Sequence, residues 1–151
     1  MKRYSWLGAM LLVMFAGCNL GTDPAFDDAI LKWGTSFGMC AGYCREDLAI
    51  DSARATLTRS SWRSELPTLT NDRALSDSAL LQLMQHVDVD VIRSLQEVYG
   101  CPDCADGGAE YVEIVTPTFT KRVQFEYGAG PPELQALLRE LRALRATFPI
   151  E

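Results

Sequence analysis

Lys121-Arg122-Val123-Gln124-Phe125-Glu126-Tyr127 alternates without a break, with Val123, Phe125 and Tyr127 on one side and Arg122, Gln124 and Glu126 on the other. A period of two residues marks a half-buried strand. Just upstream, Ala109 to Thr116 sets Tyr111, Glu113 and Val115 opposite Val112 and Ile114, and Pro117 to Thr120 supplies a turn. The two segments read as a β-hairpin. Beyond it, Gly128-Ala129-Gly130-Pro131-Pro132 opens a helix, because proline's missing N–H would have had no partner in a first turn. Leu134, Leu137, Leu138, Leu141 and Leu144 form the buried stripe of that helix. Arg139, Arg142 and Arg145 follow at three-residue spacing and read as a solvated face.

Working back from the hairpin, Ser76 is a suitable N-cap and Asp77 complements the helix dipole. Leu80, Leu83, Met84 and Val87 then make one apolar helical face. Val89 to Tyr99 reads as a second short helix aligning Val91, Leu95 and Val98, with Gly100 as its stop. Arg63 to Leu75 is a polar connection containing Pro67 and Asn71-Asp72. Before it, Glu46, Leu48 and Ile50 share a face, Asp51-Ser52 turns the chain, and Arg54 to Trp62 returns with Ala55 and Leu57 inward. That is a first hairpin. Ala29 to Thr35, with Ile30, Leu31 and Trp33, is one more strand, and the glycine-bearing segment Gly34 to Gly42 is irregular. Nothing has a βαβ rhythm. The expectation is an α+β domain: an antiparallel sheet of about five strands, including two hairpins, with two main helices packed on one face.

At 151 residues the chain has room for one domain. Lys2 and Arg3 precede an uncharged, mostly apolar run from Trp6 to Ala16, too short to span a bilayer comfortably, which ends in Phe15-Ala16-Gly17-Cys18. The layout resembles the lipobox of bacterial lipoproteins, with Phe15 where leucine is usual. The expectation is a signal peptide over 1–17, lipidation of Cys18 with chains such as palmitate, a tether over 18–28, and one domain over 29–151. The expected location is the bacterial cell envelope, with the membrane engaged through the lipid. Formal charge is −6; without Lys2 and Arg3, twelve basic against twenty acidic residues leave −8. An acidic chain lacks the basic stripe that nucleic acid requires, so no nucleic-acid partner is expected.

An exported setting favours oxidised cysteines. Four remain besides Cys18: Cys40 and Cys44 at CxxxC spacing, Cys101 and Cys104 at CxxC spacing. Structural disulfides, with pairing open between local bridges and a bridge joining the two loops, are the favoured reading; the latter would contribute about 4 kcal/mol by chain entropy. Two other readings stand beside it. A four-cysteine zinc site needs two such knuckles, and a redox pair would use Cys101-Pro102-Asp103-Cys104, although that motif precedes a strand instead of opening a helix. Asp103 and Asp106 read as turn formers, His86 as a helix-terminal cation, and Glu110 and Glu113 are not marked as an acid pair by any pattern. No catalytic constellation, metal site or cofactor motif is expected.

The motif Phe37-Gly38-x-Cys40-x-x-Tyr43 ahead of a hairpin resembles the Cys-Phe-Gly-x-Cys-Pro-x-Tyr signature of a bacterial domain family of unknown function. The later hairpin and the helix opening at Pro132-Glu133-Leu134 are similar to that family's C-terminal part. The likeness covers about residues 29–147; Ser36 and Ala41 replace its first cysteine and its proline, and Cys44 and the Cys101/Cys104 pair are additions. It implies fold and export, and no activity. The functional expectation is a non-enzymatic binding module with an envelope protein or peptide as partner. The alternatives are an envelope thiol–disulfide protein and a zinc-structured domain.

Overall fold

A computed structural model describes residues 28–63 and 66–149. The signal, Cys18 and nearly all of the tether lie outside the described residues. The chain runs β1 (Ile30–Ser36), β2 (Arg45–Ile50), β3 (Arg54–Ser60), β4 (Leu69–Ala74), α1 (Asp77–Met84), α2 (Val89–Ser94), β5 (Val98–Tyr99), β6 (Ala109–Val115), β7 (Thr120–Glu126) and α3 (Gln135–Ala146). The strands make one sheet in the order β4-β3-β2-β1-β6-β7-β5. Every pairing is antiparallel except β5 with β7. The α+β class stands, and both hairpins form where the alternation placed them.

Two details differ from the expectation of about five antiparallel strands. The polar connection contains β4, whose exposed residues give no apolar alternation to read. It holds by its ladder to β3 and by ion pairing of Asp72 with Arg54, a charged edge of the kind that discourages further strand addition. The second helix also stops early. Leu95 is extended at its C-cap, and Val98–Tyr99, β-branched and aromatic, joins β7 in parallel. Ile92 and Leu95 are the buried residues of this segment, whereas Val98 is exposed, so the expected alignment with Val91 fails. Gly100, at φ +67°, turns the chain out of β5 and is not a helix stop.

One face of the sheet carries the core. Leu31 and Trp33, Leu48 and Ile50, Ala55 and Leu57, Val112 and Ile114, and Val123 and Phe125 pack with Leu83, Ile92 and the leucine stripe of α3. Leu134, Leu137, Leu138 and Leu141 are buried as the spacing predicts. Ser76 caps α1 through Ala79 N–H, and Asp88 caps α2 through Val91 N–H. The other face is polar. There Tyr111 lies across Gly34 and donates to Asp47, Arg122 stacks on its ring at 3.9 Å, and Glu113 accepts from Arg122 at 2.6 Å and Lys32 at 3.1 Å.

Candidate functional site

The four domain cysteines gather at one end of the sheet because of strand direction. β1 ends at Ser36, paired with Arg45 at the start of β2 and with Ala109 at the start of β6. The segments leading into β2 and β6 therefore emerge side by side. Each closes on itself: Cys40–Cys44 and Cys101–Cys104 are disulfides, with Cα atoms 5.7 and 5.5 Å apart. The pairing left open by the sequence is local in both loops.

The loops also hold each other. Gly38 N–H donates to the Asp103 carboxylate at 3.2 Å, and the Phe37 ring lies so close over Gly108 that a Cβ there would collide with it. Asp103, Ala105 and Asp106 all take positive φ, at 64°, 51° and 58°. Aspartate tolerates that conformation through local hydrogen bonding, in keeping with the turn-forming role read for both; Ala105 is held there at a steric cost. Asp103 has a second task that its turn chemistry does not announce, the contact to Gly38.

Two hollows flank the first loop. One, about 470 Å³, runs between Gly38–Gly42 on one side and Ser61, Trp62, Arg63 and Leu66 on the other. Met39, 80 % exposed, and Trp62, 51 % exposed, stand on it, with Leu66 beside them. Trp62 is fixed by its indole N–H, which donates to Phe37 C=O at 2.7 Å, and Arg45 lies over its ring at 5.4 Å. The other hollow is a cleft of about 390 Å³ between the end of β1 and α3. Phe37, Tyr43 and Tyr127 wall it, and Arg142 and Arg145 project from α3 into its lining. Phe37 and Tyr127 meet edge to face at 4.9 Å.

Beneath the cleft lies Glu110, which is fully buried. Its carboxylate accepts from Trp33 Nε1 at 2.6 Å, Arg142 Nε and Nη2 at 2.9 and 2.6 Å, and Gly128 N–H at 3.1 Å. Glu46 is held likewise by Nε and Nη2 of Arg145 and by Arg59, whose guanidinium also lies 4.9 Å over Tyr43. The hydrogen bonds to Glu110 and Glu46 push the Arg142 and Arg145 guanidiniums above their usual pKa. On the opposite face, burial and the hydrogen bond to Asp47 push the Tyr111 phenol far up.

The expectation of a solvated arginine face therefore holds for Arg139, which is exposed, and fails for Arg142 and Arg145. Glu110 and Glu113 are not an acid pair: they project to opposite faces of β6, each with its own arginine. Of the motif residues, Phe37 and Tyr43 wall the cleft, while Gly38 and Cys40 line the groove on the other side. His86 follows the last turn of α1, its ring beside Gln85. Among the described residues no three His, Cys, Asp or Glu side chains gather as metal ligands, and no helix is long and apolar enough to cross a membrane. Compared with known proteins, the chain matches no family model and no curated protein.

Proposed function

We propose that this protein is a non-enzymatic interaction module of the bacterial cell envelope, held through a lipid on Cys18 and binding an envelope protein or peptide with its cysteine-loop end. The observation that carries the reading is the exposed pair Met39 and Trp62 on a groove whose floor is braced by the Cys40–Cys44 bridge. Large apolar side chains with a polar rim are what binding surfaces present, and an anchored tryptophan beside an arginine is a usual centre of binding energy.

Strand direction supports it. The N-terminal segment joins β1 at Ile30, and the loops lie beyond Ser36, about 20 Å further on at the rise of an extended strand. The chain from Cys18 thus enters the domain at the end of β1 opposite the cysteine loops. The likeness to the bacterial domain family belongs to the same proposal, and Phe37, Gly38, Cys40 and Tyr43 are the residues on which it rests.

The test is retention of solubilised envelope proteins on the immobilised lipidated protein, compared with a Met39→Ala/Trp62→Ala variant of unchanged circular dichroism. A specific partner that is lost from the variant is the expected result. A partner set held equally by both proteins sinks the groove as the interface.

One observation favours a second reading, a thiol–disulfide protein: the Cys101–Cys104 bridge is exposed, in a loop with three non-glycine residues at positive φ. Against it, the motif leads into β6 and not into a helix whose N-terminus would stabilise a thiolate. Insulin reduction decides: turnover by the reduced protein that vanishes in Cys101→Ala would establish it. The zinc reading has less support, since sulfurs joined in disulfides are not thiolate ligands.

A further inference from the structure

We infer that the Cys101–Cys104 bridge is a redox latch on Trp62, and that Asp103 is the positioning residue through which it acts. Opened by a dithiol protein of the CxxC class, it frees the indole and loosens the Met39/Trp62 groove. The consequence for binding rests on the groove reading; the latch itself does not.

One peptide unit carries the coupling. The N–H of Gly38 donates to the Asp103 carboxylate at 3.2 Å, and the C=O of Phe37, across the same peptide bond, accepts from Trp62 Nε1 at 2.7 Å. A peptide group is planar, so its two ends cannot turn separately. Whatever holds the Gly38 N–H therefore aims the carbonyl that fixes the indole, and hydrogen bonds in series strengthen one another. The Phe37 side chain is seated on the same loop, close over Gly108.

Asp103 is in turn held by the bridge that encloses it. It stands between Cys101 and Cys104 at φ 64°, its N–H donating to Gly108 C=O at 3.1 Å. Ala105, next after Cys104, is left-handed too, at φ 51°, and an alanine has no polar side chain to offset the steric cost. With the bridge open, Ala105 gains by returning to negative φ, and that rotation carries Asp103 away from Gly38. The stem of the first loop stays on the sheet, since Phe37 N–H donates to Cys44 C=O and Cys44 N–H to Ser60 C=O, both at 3.0 Å.

Access separates this bridge from the other. Cys101 and Cys104 are both exposed, whereas Cys44 is only 3 % exposed. A thiolate of the incoming dithiol attacks one sulfur of the Cys101–Cys104 bridge, forms a mixed disulfide and releases the other cysteine as a thiolate, which takes up a proton. The donor's second thiol gives up its proton and displaces the first cysteine. Two electrons and two protons pass to this chain, and the donor leaves as a disulfide.

The experiment reads the indole Nε1–H signals of Trp62 and Trp33 by NMR in the full chain held in detergent, with Trp33, bound to buried Glu110, as internal reference. In Cys101→Ser/Cys104→Ser, which opens the second bridge alone, the Trp62 signal should move upfield and exchange with water about fivefold faster, while Trp33 stays. Asp103→Gly keeps the left-handed backbone and removes only the carboxylate, so it should give the same Trp62 signal with both bridges closed. Asp103→Asn, which keeps an acceptor, should leave Trp62 near its original position. During titration of the unchanged chain with dithiothreitol, with disulfides mapped by mass, Cys101–Cys104 should open first and Trp62 should move with it. A Trp62 signal indifferent to the open bridge or to Asp103→Gly, equal movement of Trp33, or earlier opening of Cys40–Cys44 overturns the inference. No partner is present in these measurements, so the latch can fail while capture by the groove stands, and hold while capture fails.

Discussion

Gly34 occupies a position in β1 that no other residue fits. A Cβ built there would stand 2.5 Å from both the Glu46 carbonyl oxygen and the Tyr111 ring. Gly34→Ala should cost about 1–3 kcal/mol, the range of overpacking, in urea denaturation. Because backbone is one of the colliding groups, adding Tyr111→Ala should not restore stability. Glu110 sets a harder limit. Glu110→Ala leaves Arg142, Trp33 and Gly128 without their shared acceptor and should cost about 3–5 kcal/mol. Glu110→Gln, which keeps an acceptor, should cost less, and near-equal losses would show that the charge and not the hydrogen bonding matters. Glu113 should show itself in acid. Burial opposes its charged form, but the hydrogen bonds from Arg122 and Lys32 outweigh burial and hold its pKa below the usual value. A lowered folded pKa gives stability that is complete above the unfolded value, about 4.3, and that drains away as pH falls through the folded value. Glu113→Gln should therefore flatten the loss of stability below about pH 4 and leave the slope near neutrality unchanged. At this scale the sequence is least informative. Trp33 reads as apolar filling, yet its indole N–H serves Glu110. Arg142 and Arg145 read as a solvated face because their partners lie 32 and 99 residues away. A helical pattern registers neighbours three and four residues apart and nothing beyond.

Elements that bury one face were legible, and those held by backbone pairing alone were not. β7 and the leucine stripe of α3 carry their period in side chains. β4 and β5 carry none, since a strand at the sheet edge can be polar throughout or only two residues long. The cysteine loops show the same division. The residue pattern supplied the cysteines and the turn-forming aspartates, but pairing depends on which strand ends are neighbours. Local closure also resets the energetics. Four- and five-residue loops contribute only about 2 kcal/mol each in the chain-entropy model, about half of what a bridge between the loops would give. Cys101→Ser/Cys104→Ser should then lower unfolding free energy by about 2 kcal/mol or less while far-ultraviolet circular dichroism stays as it was. Collapse of the fold on that substitution would mean that the loop does more than close itself.

Across the whole molecule, protection should fall from the centre of the sheet to its edge. β1 and β6 are covered by core on one face and by the Tyr111–Arg122 stack on the other, whereas β4 is exposed along nearly its whole length. Amide hydrogen exchange should be slowest at Trp33 and Val112 and much faster at Thr70 and Asp72. Uniform exchange across the seven strands would mean that the sheet opens only as one unit.

The place of β1 in the sheet also bears on how such a chain comes into being. Its first strand is flanked by β2, which follows at once, and by β6, whose Val112 meets Trp33 from about eighty residues later. During synthesis, or during passage end-first through a pore, that flank stays bare until most of the polypeptide has emerged. Partial chains thus have no finished product to settle into, and a holding chaperone has most of the translation time in which to bind them.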